Sequence, residues 1–283
     1  MKVMALVDGS LYARSVVDHV AWAAAAGNAS VELMQAISRN ELLAQHLPVH
    51  PAGAVILAGE KTLDEDIAEI RSKAKVALAE ADTILRSRGV VDVTSRIEDG
   101  DVVDAALKLG VCDLVVLGKR GEHADLARLP LGGNVQSVVR ASRSPVLLVS
   151  RAFRPIRRAL VAFDIDDGCS ASVDALANSK IVPPMSVLLL HVGQSSEEMR
   201  SAIASAANRL EEAGFDASIE LLPGEPHRMI PERAVTDSTD LVVMGAFGRS
   251  RLKSLIFGSL TSEVIRATQT PVLLANQRTG AAA

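Results

Sequence analysis

Aromatic side chains are nearly missing from this chain: one Trp, one Tyr and five Phe amount to 2% of 283 residues. Stacking platforms for single-stranded nucleic acid are therefore not expected, and any core must be aliphatic. Cysteine is as scarce. Cys112 and Cys169 stand in different halves and form no CxxC pair, so both read as free thiols rather than as a disulfide or metal site. No apolar run reaches the length of a membrane span, and the N-terminus passes straight into a strand with no signal peptide before it. A soluble, cytoplasmic protein is expected. The net charge of −4 implies no general surface for polyanions. Three catalytic signatures are also lacking: a glycine loop ending in Gly-Lys-Ser/Thr, a Gly-x-Ser-x-Gly elbow, and HExxH or paired-Cys metal spacing.

What is there is aliphatic and repeated. Hydrophobic residues make up 48%, enough for two domains of about 140 residues, each with its own core. Both halves open with an apolar strand ending in Asp, Val3 to Asp8 and Ala159 to Asp164, at an offset of 156. The second strands, Val31 to Ala36 and Val187 to Val192, keep that offset. Gly100 then matches Gly224 at 124, Asp113 and Gly118 match Asp240 and Gly245 at 127, and Pro145 matches Pro271 at 126. The drop means about thirty extra residues in the first half, and Ser38 to Asp66, with Pro48, Pro51, Gly53 and Gly59, fits as the insertion. It reads as an ordinary packed excursion, a lid or a partner contact. The domains fall at 1–150 and 155–276.

Strands are predicted at 2–8, 31–36, 91–97, 113–118 and 145–149, and again at 158–164, 187–192, 217–222, 240–245 and 271–275. Helices are predicted in the second half near 169–179, 196–213, 226–237 and 259–267, with Gly214 stopping the second of them. Strands alternating with helices imply a parallel, doubly wound α/β sheet in each half. Such sheets bind ligands beyond the carboxyl ends of their strands, where strand order reverses.

At that edge of the second half three elements converge. Asp164 ends the first strand, where a carboxylate can accept hydrogen bonds from ribose hydroxyls or simply set a turn. Val192 ends the second, where backbone groups can read an adenine edge or the side chain can fill core. Then Gly245 and Gly248 let backbone N–H groups approach an anion, while Gly258 and Ser259 open a helix whose free N–H groups favour phosphate. Arg249, Arg251 and Lys253 make the intervening loop cationic. His191, inside an apolar strand, reads as a core histidine with a satisfied ring, and His227 as solvent-facing.

The spacing Gly-x2-Gly-x9-Gly-Ser resembles the ATP-binding motif of the universal stress protein family. So do Val-Asp-Gly-Ser at 7–10, Leu-Leu-His-Val at 189–192, Gly-Glu-Pro at 224–226, Asp-Leu-Val-Val-Met-Gly at 240–245 and Thr-Pro-Val-Leu-Leu at 270–274. The resemblance covers nearly the whole chain, twice. It implies two tandem Rossmann-like domains of the adenine nucleotide alpha hydrolase type, joined through their final strands as an internal pseudo-dimer. It places nucleotide contacts on Asp164, Val192, Gly245, Gly248, Gly258 and Ser259, continuing to Leu260. The ligand it implies is ATP, ADP or AMP, with Mg²⁺ accompanying a triphosphate; a protein partner and a further homodimer are open.

The first half departs from the pattern. Asp8, Ala36, Gly118 and Gly121 are in place, but ten residues separate Gly121 from Gly132, and Gly133 replaces the serine. Glu122 and Asp125 would repel a triphosphate; Lys119, Arg120, His123 and Arg128 would offset them, and Asn134 is placed to cap the helix. A degenerate site is expected there. Functionally the sequence favours a nucleotide-binding regulator of the stress response, with its site mainly in the second half. Two alternatives stand: a nucleotide-independent interaction module, and an enzyme that at most hydrolyses ATP slowly.

Overall fold

The computed structural model describes residues 1–25, 29–39, 42, 62–108, 110, 112–119, 133–165, 167–179, 182–246 and 259–275. Most of the insertion expected at 38–66 lies outside them. The first half runs β1 (Lys2–Leu6), α1 (Ala13–Ala24), β2 (Ser30–Ile37), α2 (Leu63–Ser87), β3 (Asp92–Asp99), α3 (Val102–Lys108), β4 (Leu114–Gly118), α4 (Gly133–Ala141) and β5 (Val146–Val149). The second repeats it as β6 (Arg158–Ala162), α5 (Asp167–Ala177), β7 (Ser186–Val192), α6 (Glu197–Glu212), β8 (Asp216–Leu222), α7 (Pro226–Thr236), β9 (Leu241–Gly245), α8 (Ser259–Ala267) and β10 (Val272–Ala275). All ten strands and the four second-half helices stand where the sequence predicts, their ends shifted by at most two residues.

Local chemistry explains the helix ends. Thr62 and Glu65 form a reciprocal capping box at the start of α2: the Glu65 N–H donates to Thr62 Oγ1 at 3.3 Å, and the Thr62 N–H to Glu65 Oε2 at 2.7 Å. Ser196 caps α6 by accepting the Met199 N–H at 3.1 Å. After α6 the chain turns at Gly214, whose φ of +90° suits a residue without a Cβ; its N–H and that of Phe215 donate back to Glu211 and Leu210.

The ten strands form one sheet, ordered β3-β2-β1-β4-β5-β10-β9-β6-β7-β8. Every pairing is parallel except one: β5 meets β10 antiparallel, with Val272 opposite Leu148, Leu273 opposite Leu147 and Leu274 opposite Val146. This seam joins the halves as the expected internal pseudo-dimer. Successive side chains go to opposite faces. Val3 and Ala5 of β1, Val161 of β6 and Leu273 of β10 join one core, packed by α1, α2, α5 and α6; Met4, Leu6, Leu160 and Leu274 join the other, packed by α3, α4, α7 and α8. Both cores run through both halves.

The repeat extends to polar struts. Asp113 Oδ2 accepts the Lys2 N–H at 2.7 Å, and Asp240 Oδ2 accepts those of Arg157 and Arg158 at 3.0 and 3.1 Å. Cys112 is free and buried, its thiol pushed above the usual range mainly by that burial. The Cys169 side chain lies outside the description. Among the described residues no helix is long and apolar enough to cross a membrane.

Beside the seam one contact ties the halves and another ties the first half to the connecting segment. Lys119, only 7% exposed, donates from Nζ to the carbonyls of Thr268 at 2.7 Å and Thr270 at 2.6 Å. His19 of α1 is fully buried and meets Phe153, in the segment between β5 and β6, edge to face at 4.9 Å. Its Nδ1 lies 2.7 Å from the Ser15 carbonyl and Nε2 has no hydrogen-bond partner. Desolvation holds its pKa below the ordinary imidazole value of 6.5.

Two outcomes are expected. Lys119→Met keeps the aliphatic stem but leaves two carbonyls without their charged donor, and should destabilise the chain by about 1.5–3 kcal/mol in urea unfolding. For His19 the folded form resists the proton that the unfolded form accepts, so its contribution is present above pH 6.5 and is lost as pH falls below it. The melting temperature between pH 7 and pH 5 should drop more steeply in the wild type than in His19→Gln. Parallel profiles would refute the assignment.

Candidate functional site

Strand order reverses between β1 and β4 in the first half and between β6 and β9 in the second, and the candidate residues stand at the carboxyl ends of these strands. In the second half β6 lies between β7 and β9. Asp164, two residues past the end of β6, is half-buried and turns one carboxylate oxygen onto the Ile165 N–H at 2.8 Å. Val192 closes β7 and is buried; Gly245 closes β9 and is half-buried, paired with Ala275 of β10. These three residues are brought to one edge on adjacent strands. Ser259 is the first residue of α8, and because β9 and β10 are parallel, α8 starts from that same edge. Leu260 is exposed at 40%, and Thr261, one turn in, is buried. Gly248, Arg249 and Gly258, with Arg251 and Lys253, lie outside the described residues.

A buried histidine holds this edge. His191 is 5% exposed; Nδ1 lies 3.1 Å from the carbonyl of Phe163, and Nε2 lies 3.3 Å from the carbonyl of Gln194. One carbonyl immediately precedes Asp164 and the other lies two residues after Val192, so the ring staples the ends of β6 and β7 together. A neutral imidazole donates from one nitrogen and an imidazolium from both. The ring is the core histidine expected from sequence; in its neutral form it donates to one of the two carbonyls, and its place adds a positioning role. Gly193 sits beside it at φ +139°, a backbone conformation that side-chain-bearing residues rarely adopt; a Cβ there would make only ordinary contact with the ring, 3.6 Å from Nε2. His227 is partly exposed, 3.9 Å from Glu263.

The first half builds the same edge with other chemistry. Asp8 follows β1 and accepts the Ser10 N–H at 3.1 Å, while Ser10 Oγ accepts the Tyr12 N–H at 3.1 Å, so these side chains serve the turn into α1. Ala36 lies near the end of β2 and Gly118 closes β4. Gly133 opens α4, whereas Gly121 and Gly132 lie outside the described residues. Since α4 already begins at Gly133, Asn134 sits inside the helix rather than at its cap. Lys119 does not serve as a loop cation: its ammonium is committed to Thr268 and Thr270 across the seam, and its counterpart in the second half is Ala246. Arg120, Glu122, His123, Asp125 and Arg128 lie outside the described residues.

Sequence reasoning missed one difference. At the 156 offset the counterpart of His191 is Gln35, which is 9% exposed and has Oε1 without a hydrogen-bond partner. The second half's edge is stapled from within and the first half's carries an unsatisfied amide. The offset alone pairs the two positions; the carbonyls that make the pairing meaningful come only with the fold.

The model of the universal stress protein family matches the chain twice, over residues 1–150 and 157–276. Over its whole length the chain is similar to the universal stress protein Slr1230 of Synechocystis, with 29% identity covering 96% of this chain and 98% of that one. Among solved structures, a universal stress protein from Archaeoglobus fulgidus superposes with a TM-score of 0.70 at 18% identity, over 97% of this chain and 96% of that one. A putative universal stress protein from Pseudomonas aeruginosa superposes with 0.61 at 15%, over 98% and 93%. These structures share the fold, and the paired matches share its duplication. The chain belongs to the universal stress protein family, as a tandem member.

Proposed function

We propose that the chain is a regulator that binds ATP, or ADP or AMP, at the carboxyl edge of β6, β7 and β9, within a unit spanning 155–276. The supporting observation is the convergence of Asp164, Val192 and Gly245 on adjacent strand ends, with α8 starting from the same edge at Ser259. The ribose goes to Asp164, the adenine to the backbone around Val192, and the phosphates to Gly245, Gly248, Arg249, Gly258, Ser259 and Leu260. Peptide N–H groups and the positive end of α8 suit phosphate there, and Mg²⁺ enters with the triphosphate. The corresponding residues Asp8, Ala36, Gly118, Gly121, Gly132 and Gly133 form a weaker site or none. Occupancy rather than turnover is the signal in this reading, because the chain carries no Gly-Lys-Ser/Thr loop, Gly-x-Ser-x-Gly elbow or HExxH spacing.

Two measurements test this. Ser259→Asp places a carboxylate where phosphate is to sit, and calorimetric titration should show ATP affinity falling ten-fold or more, about 1.4 kcal/mol. Gly133→Asp, the mirror change, should leave it unaltered. Equal affinity in wild type and Ser259→Asp would sink the proposal and leave an interaction module that ignores nucleotide. The second variant, His191→Gln, installs the first half's residue at the staple. One hydrogen bond to a strand-end carbonyl is then lost, at about 1 kcal/mol. Affinity for ATP should fall several-fold with the fold intact by circular dichroism; an unchanged Kd would remove His191 from the site.

A further inference from the structure

A second recess lies between the halves. It is a cleft of about 780 Å³, within the size range of small-molecule sites. From the first half and the connecting segment come Tyr12, Lys119, Arg151 and Arg154; from the second come Thr239 before β9 and Arg266 and Thr268 at the end of α8. The cleft lies at the amino ends of β9 and β10, so it is not the second half's nucleotide edge proposed above; across the antiparallel seam it adjoins the carboxyl ends of β4 and β5 at Lys119 and Ser150.

Its charge is one-sided. Among the described residues that line it four are cations, Lys119, Arg151, Arg154 and Arg266, against one acid, Asp240, whose Oδ2 already accepts two backbone N–H groups. The carboxyl ends of α7 and α8 border the same space and would attract positive side chains on their own account. That demand is largely met: Lys119 bonds the carbonyls of Thr268 and Thr270, and Arg158 bonds the carbonyl of Asp237 at 2.9 Å. Arg154 and Arg266 are charge in excess of it: among the described residues neither makes an ion pair. Polar groups point the same way. Thr239 and Thr268 are 7% and 6% exposed, both line the cleft, and Oγ1 of each has no hydrogen-bond partner. Both oxygens are themselves buried, and buried hydroxyls are ordinarily paired, so each is a donor without its acceptor at the wall of the cleft.

We propose that this cleft binds a small polyanion, a molecule with two or more phosphate or carboxylate groups, held by Arg154 and Arg266 in bidentate fashion and by the hydroxyls of Thr239 and Thr268. The ligand would bear on both halves at once. The proposal does not depend on nucleotide binding at the other edge.

Pyrophosphate and citrate are suitable probes, one for each class of anion, titrated into the full chain carrying Ser259→Asp so that the other edge does not compete. The readout is the methyl resonances of Thr239 and Thr268 in NMR spectra. Saturable shifts of both are expected with one probe, and that probe assigns the class. In Arg154→Gln with Arg266→Gln, both exposed positions, the apparent Kd should rise at least ten-fold while the spectrum otherwise stays that of the folded chain. Methyl resonances that do not move with either probe at millimolar concentration, or an equal Kd in the double variant, would overturn the proposal.

Discussion

The pairing of β5 with β10 is the constraint on which the rest of the molecule depends. Each half is a five-stranded parallel sheet whose last strand, four aliphatic residues long, would otherwise present an unpaired row of amides and carbonyls. Joining the two rows antiparallel removes both edges at once. It also fuses the cores, since Leu147 and Leu273 continue one apolar layer and Leu148, Val272 and Leu274 the other. Chains of this length commonly divide into separate cores; here the duplicated unit is sealed across its own seam.

Within that symmetric frame the two copies differ in where they place polar chemistry. The second half has a histidine that holds two strand ends by their carbonyls, where the first has a glutamine with an unpartnered oxygen. The first half has a lysine after its leading glycine, where the second has alanine. That lysine bonds the loop between α8 and β10. Of two equivalent strand edges, one thus carries a buried histidine that bridges strand ends, and the other lends a side chain to the seam.

Much of this was legible in the sequence for a plain physical reason. Strands such as Leu241–Gly245 are buried on both faces and therefore read as unbroken aliphatic runs. Helix ends carried local signals, as at Ser196 and Gly214. The offsets between repeats matched Asp113 to Asp240, which the structure shows performing the same strut. What stayed hidden depended on residues far apart in the chain. Lys119 read as a loop cation offsetting Glu122 and Asp125 because its partners lie about 150 residues away, across a strand pairing that no local pattern announces. The difference between Gln35 and His191 was visible as letters, but its meaning required knowing which carbonyls the ring would meet.

The antiparallel seam has one more consequence. Because β5 and β10 run in opposite directions, the carboxyl edge of one half lies on the same rim as the amino edge of the other. The carboxyl edges of the two halves therefore open toward opposite sides of the molecule, too far apart in direction for one small molecule to touch both. The duplication has made an object with two distinguishable faces rather than one face doubled.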